Sequence, residues 1–209
     1  MFKPSDNLTA SEEADSVRRT PEYSPEQRKI LLAIAHEAIA AKIAGKPLPG
    51  RPLDRSAAGL WTALEEPRGV FTTLYLRGEL RGCVGYVAPI KPLFQAVAET
   101  ACAAAFEDSR FWPVSPGEAA ELKISLSVLS QLFPIDAADV EVGRHGLVIS
   151  DGVRRGLLLP QVPVEHGWDR KTFLEQTCRK AGLPMEAWKK STTIEAFVAE
   201  VFGDDEFSA

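Results

Sequence analysis

A thiol, a guanidinium and two glycines fall within six residues at Leu80-Arg81-Gly82-Cys83-Val84-Gly85. Successive side chains of a strand point to opposite faces. An extended run here puts Arg81, Cys83 and Gly85 on one face, and Leu80, Val84 and Tyr86 on the other, which reads as the buried side. A cation within reach of a thiol favours the thiolate, the nucleophilic and metal-binding form. Glycine inside a strand marks close approach of a ligand or of another backbone, so Gly85 is expected to leave open space beside Cys83. The blander reading of the same residues is a cysteine acting as a small hydrophobe and an arginine paired with a surface carboxylate.

Two further stretches offer partners for that thiol. Gly143-Arg144-His145-Gly146 supplies an imidazole, the usual base of a cysteine–histidine arrangement, or else a turn residue between glycines with special backbone angles. Asp108-Ser109-Arg110 offers a guanidinium able to clamp a phosphate or carboxylate with a hydroxyl beside it, unless Asp108 and Arg110 simply pair with each other. Gly82 and Gly85 join Asp108, Ser109 and Arg110 as candidate ligand-binding positions. Cys102 and Cys178 lie on apolar helical stripes and read as core. His36 and His166 have no partner at metal-ligand spacing, and no CxxC, HExxH, Walker, GxGxxG or GxSxG pattern occurs. No cofactor is indicated.

The elements that must position these residues are legible in outline. Ser24-Pro25-Glu26-Gln27 is a helix start with a capping box, followed by a stripe from Ile30 to Ile43 and a stop at Gly45. Residues 46–58 read as a Pro/Arg-rich loop. Val70 to Leu76 is strand-like, and Arg77-Gly78 is a two-residue turn into the Cys83 strand. That register sets Tyr75 against Leu80, Phe71 against Val84 and Thr72 against Cys83. Leu93 to Phe106 carries a strong helical stripe, Ser115-Pro116-Gly117-Glu118 a second capping box, and Leu122 to Val128 a half-buried alternation. A second hairpin spans residues 147–159, a helix follows from about Asp169 to Gly182, and the segment around Ile194 to Val201 is expected to be a strand.

The chain has 209 residues, 45% hydrophobic and 25% charged, with a formal net charge of −5. This is the composition of one soluble globular domain or two joined halves, and the acidic balance argues against nucleic-acid binding. Three cysteines without paired spacing point to a reducing cytosol, and neither a membrane span nor a signal-peptide core is visible. Residues 1–23 read as a disordered leader and 204–209 as a tail. An internal echo runs through the rest. Segments of about 69–106 and 146–183 each read as hairpin, Arg-Gly, proline and a helix bearing a cysteine, with 20 residues from Gly82 to Cys102 and 22 from Gly156 to Cys178.

Leu80 to Gly85 resembles the signature hexapeptide of the AMMECR-type domain. Phe106 to Phe111, Val142 to Leu147, Leu159 to Val162, Gly167 to Asp169 and Cys178 to Leu183 look like further blocks of that family, in family order, over roughly residues 25 to 203. Valine at 84, where isoleucine is common, is a mild departure. The similarity is to the prokaryotic branch called AmmeMemoRadiSam system protein A, whose members are encoded beside a Memo-like protein and a radical SAM protein. The resemblance implies a single domain over 24–203 with an α+β fold. Two related β-hairpin-plus-helix repeats would form a barrel-like mixed sheet flanked by helices. It implies site positions at Arg81, Gly82, Cys83 and Gly85, with Asp108, Ser109, Arg110, His145 and Trp168 from the neighbouring blocks. No settled reaction comes with it.

Two expectations follow. In the first, Cys83 is the thiol of an enzyme, activated by Arg81, with His145 as proton acceptor and Arg110 holding a small anionic substrate, in concert with the Memo-like and radical SAM partners. In the second, the same face is a non-catalytic adaptor that holds a ligand or partner, with Cys83 as a close-fitting wall. Nucleic-acid recognition through Arg144, Arg154, Arg155, Arg170, Lys171, Arg179 and Lys180 is a third, disfavoured by the overall charge.

Overall fold

The computed structural model describes residues 21–51, 58–190 and 192–207. The expected leader therefore lies outside the described residues up to position 20, as does the expected loop over 52–57. Where the chain is described, six α-helices and eight strands form two compact units. One comprises Glu22–Ser130 and Ala199–Ala209, the other Gln131–Val198.

In the first unit, Ser24 caps α1 (Pro25–Ile43) with the anticipated reciprocal bonds to Gln27. A short helix, α2 (Ala58–Glu65), begins at the last residue of the expected loop. The hairpin β1 (Val70–Leu76) and β2 (Glu79–Tyr86) turns at Arg77 and Gly78, with φ of 52° and 87°. Two consecutive positive φ values make the mirror-image turn whose twist matches that of paired strands. Helix α3 (Leu93–Phe106) buries residues around most of its circumference, including Cys102. A helix apolar on so many sides must be covered on both flanks, and α3 is sandwiched between α1 and the β1–β2 hairpin. The short α4 (Pro116–Ala119) leads to β3 (Leu122–Leu129), and β8 (Ala199–Gly203) completes an antiparallel sheet of order β2-β1-β3-β8.

In the second unit, β5 (Gly146–Ser150) and β6 (Arg155–Leu158) form a hairpin, and β7 (Thr193–Phe197) and β4 (Phe133–Pro134) extend it in the order β4-β7-β5-β6. Helix α5 (Gln161–Glu165) precedes α6 (Arg170–Lys180), whose cap is Asp169 and whose buried face holds Cys178. The Ile194–Val201 segment is two strands, one in each sheet, separated at Val198.

Several expectations are corrected. Both sheets are antiparallel and open, so the described strands close no barrel and form no mixed sheet. Tyr23, assigned to the leader, is 1% exposed, and the carboxylate of Glu200 accepts its N–H and that of Glu22. Asp204, assigned to the tail, accepts hydrogen bonds from the backbone N–H of Ile124 and from Nε2 of His36.

The echo between the hairpins has a packing counterpart. A Cβ on Gly82 would lie 2.1 Å from the carbonyl oxygen of Ala104 in α3, and one on Gly156 would lie 2.3 Å from the backbone nitrogen of Ala181 at the end of α6. In each unit the glycine of the Arg-Gly pair lets the second hairpin strand touch a helix backbone directly. No helix among the described residues is long and apolar enough to cross a membrane.

Candidate site at the edge of the first sheet

The register around Cys83 differs from the simple hairpin by one residue. Tyr75 does pair with Leu80, but Leu74 pairs with Gly82, Thr73 with Cys83, Thr72 with Val84 and Phe71 with Gly85. Arg81 is the extra residue of a β-bulge, which shifts all subsequent pairing and re-aims the neighbouring side chains. Cross-strand partners share a face, so Cys83 and Gly85 lie with Phe71, Thr73 and Tyr75. Gly82 and Val84 lie with Leu74 and Thr72 on the side of α3. Leu80 falls on the Cys83 face and is 41% exposed, not buried as the alternation predicts.

The space expected beside Cys83 is filled. A Cβ on Gly85 would sit 2.4 Å from the ring of Phe71, and that on Gly82 would meet α3. Both glycines serve packing between protein atoms. Cys83 is half-buried, and the hydroxyl of Thr73 donates to its Sγ at 3.3 Å. Antiparallel pairs whose backbone groups point away from each other bring their side chains closest, which is how Thr73 reaches the sulfur.

Arg81 does not hold the thiol. Its Nε and Nη2 donate to the two carboxylate oxygens of Glu118 at 3.1 and 3.3 Å, and Nη2 also reaches the carbonyl of Pro113 at 3.4 Å. Glu118 is the acid of the second capping box, and its Oε2 accepts the N–H of Ser115 at 2.8 Å. The Arg81 guanidinium, then the N–H and hydroxyl of Ser115, hold this carboxyl down to about 2.

Asp108 and Arg110 form the other half of the site. Asp108 Oδ2 accepts the backbone N–H of Cys83 at 2.9 Å, and the Arg110 guanidinium bonds Asp108 at 2.7 and 3.0 Å while its Nη2 reaches the Cys83 carbonyl at 3.4 Å. The Asp108 side chain is 6% exposed. Its carboxyl lies well below the usual carboxylate range because the guanidinium and the N–H groups of Cys83 and Arg110 outweigh its burial. Ser109 is exposed in the intervening turn, which also presents Trp112 at 88% exposure. Thr73 and Glu118 are the site members that sequence reasoning missed. Glu118 was visible as a cap, but the bulge hid Thr73.

His145 belongs to the second unit. It is 3% exposed, its Nδ1 accepts the N–H of Glu141 at 3.0 Å, and its ring packs edge-on against Phe133. A lone pair engaged by a backbone amide fixes the tautomer with hydrogen on Nε2, the opposite of a nitrogen waiting for a proton. Gly143, at φ of 87°, makes the turn before it. Trp168, in the same unit, stacks on His166 with centroids 4.8 Å apart. Burial pushes the thiols of Cys102 and Cys178 up, in keeping with their core positions. Among the described residues no group of three or more His, Cys, Asp or Glu side chains is arranged to hold a metal ion.

Comparison with known proteins places these features in company. The model of a family described as AMMECR1 matches residues 32–202. Protein MK0488 of Methanopyrus kandleri is 42% identical over 193 residues, covering 87% of this chain and 90% of that one. Protein TK0174 of Thermococcus kodakarensis is 40% identical over 189 residues, covering 85% and 90%. The crystal structure of uncharacterized protein PH0010 from Pyrococcus horikoshii superposes with a TM-score of 0.66 at 36% identity, covering 88% of this chain and 94% of that one.

Proposed function

The chain belongs to the AMMECR1 family, and we propose that its first unit is a non-catalytic ligand- or partner-binding module whose contact element is the Cys83 face of the β1–β2 hairpin. One observation carries this reading: both candidate cations are already neutralised. Arg81 is closed on Glu118 and Arg110 on Asp108, so each guanidinium already has a carboxylate where an anionic ligand would bind. The lone pair of His145 is likewise engaged by its own loop. What the face offers is shape, namely a half-buried thiol with Leu80 and Tyr75 exposed along the same side.

The two hairpin-plus-helix segments are read as copies of one unit. Gly82 and Gly156 do the same packing in each, whereas Leu157 follows the second Arg-Gly pair where Cys83 follows the first. The glycine then belongs to the common scaffold, and the thiol with its Asp108–Arg110 pair is the specialised part. The partner of first choice is the Memo-like protein encoded beside relatives of this branch, and the radical SAM protein is the second. Three free cysteines favour the reducing cytoplasm as the compartment.

The competing thiol-enzyme reading rests on the Thr73 hydroxyl aimed at Sγ and requires that Arg110 exchange Asp108 for a small anionic substrate. Calorimetric titration with the purified Memo-like protein separates the two. Cys83→Ser should bind as the parent does, and Cys83→Trp, which fills the face, should not bind. Loss of binding in the serine variant, or a substrate-derived adduct on Cys83 in protein taken from cells, supports the enzyme instead.

A further inference from the structure

An edge strand presents a row of backbone donors and acceptors that templates pairing with another chain unless it is bulged, charged or covered. β2 is such an edge. Because both backbone groups of Cys83 point away from Thr73, they face outward, where a fifth strand would lie. Both are engaged by side chains. The N–H donates to the Asp108 carboxylate at 2.9 Å, and the carbonyl accepts from the Arg110 guanidinium at 3.4 Å. One acceptor and one donor brought to the same residue reproduce the exchange that a residue of an adjacent strand makes. The pair is firmly held, since Asp108 also receives the backbone N–H of Arg110, at 3.2 Å. The bulge at Arg81 interrupts the same edge just before it.

We propose that Asp108 and Arg110 are an edge latch, a side-chain substitute for a fifth strand that keeps β2 from pairing with β2 of a second copy of this chain. The excluded occupant is another copy because antiparallel pairing of identical strands is two-fold symmetric. Cys83 would meet its own counterpart, and each would exchange both backbone bonds. The latch acts on the Cys83 backbone, whereas the binding reading concerns the side-chain face, so self-association of Asp108→Ala and loss of partner binding in Cys83→Trp are separate readouts.

The test uses the full chain carrying Asp108→Ala, with light scattering over a range of concentrations and amide hydrogen exchange at Cys83. The expected result is a species of twice the parent's mass, with the Cys83 amide protected only where that species is populated. Asp108→Asn retains an acceptor for the Cys83 N–H and should keep the parent's mass. Arg110→Ala, which keeps Asp108 and therefore the N–H half of the latch, should associate more weakly in the same direction, and it serves if Asp108→Ala does not fold. A variant that keeps the parent's mass while its Cys83 amide exchanges freely overturns the proposal. So does irregular aggregate in which that amide is unprotected.

Discussion

Gly82→Ala separates a glycine that packs from a glycine that admits a ligand. The new Cβ would lie 2.1 Å from the carbonyl oxygen of Ala104 and 3.0 Å from its carbon, and neither belongs to a side chain that can swing aside. Relief requires β2 or α3 to move by about 1 Å, and α3 is clamped by the buried Val97, Ala101 and Ala105. Overpacking against backbone costs about 3 kcal/mol. The lower entropy of the unfolded alanine chain offsets about 0.5–1 kcal/mol of this. The net loss of about 2 kcal/mol corresponds to a fall in Tm of about 4–8 °C for a chain of this length. Urea unfolding followed by tryptophan fluorescence measures it. Gly156→Ala, with its Cβ 2.3 Å from the nitrogen of Ala181, should behave alike, while Gly117→Ala, with nothing within 4 Å, should not destabilise. A Gly82→Ala protein within about 0.5 kcal/mol of the parent, the ordinary range for surface changes, would refute the packing role and return Gly82 to the ligand-binding candidates.

Iodoacetamide applied to the native chain should modify Cys83 and spare Cys102 and Cys178, which mass spectrometry of the peptides would read directly; equal modification of all three contradicts the burial pattern. Glu118→Gln should lower Tm at neutral pH. Because the folded carboxyl is held to about 2, below its ordinary value near 4.5, the pair stabilises the fold above that ordinary value and the contribution is lost as pH falls toward 2. The Tm difference between parent and variant should therefore shrink over that interval, and a difference independent of pH would show that the Arg81–Glu118 pair is not its source. Trp112→Ala should change stability by less than about 0.5 kcal/mol, since the ring is 88% exposed; a larger drop in urea midpoint would mean the ring is covered in solution.

The parts of this fold written in local chemistry were readable. Both capping boxes, the Arg77-Gly78 turn, the helical stripes burying Cys102 and Cys178 and the alternation of β3 depend on residues close in the chain, and each stands where spacing put it. Of the site, Cys83, Arg81, Asp108 and Arg110 were readable as candidates, together with His145, which lies in the second unit, and without Thr73 and Glu118. Which of them touch was not, because a single bulged residue changes the parity of everything after it and because Phe71 closes the gap over Gly85 from a neighbouring strand. Helix α5 was not anticipated, because proline disfavours a helix interior, yet Pro163 lies within this short helix and is buried.

Arg81 serves Glu118 and not the thiol. The pH profile of iodoacetamide alkylation at Cys83, measured in the parent and in Arg81→Gln, decides this directly. Superimposable profiles are the predicted result, and a profile displaced to higher pH once the guanidinium is gone would contradict the account and restore Cys83 as an arginine-activated nucleophile.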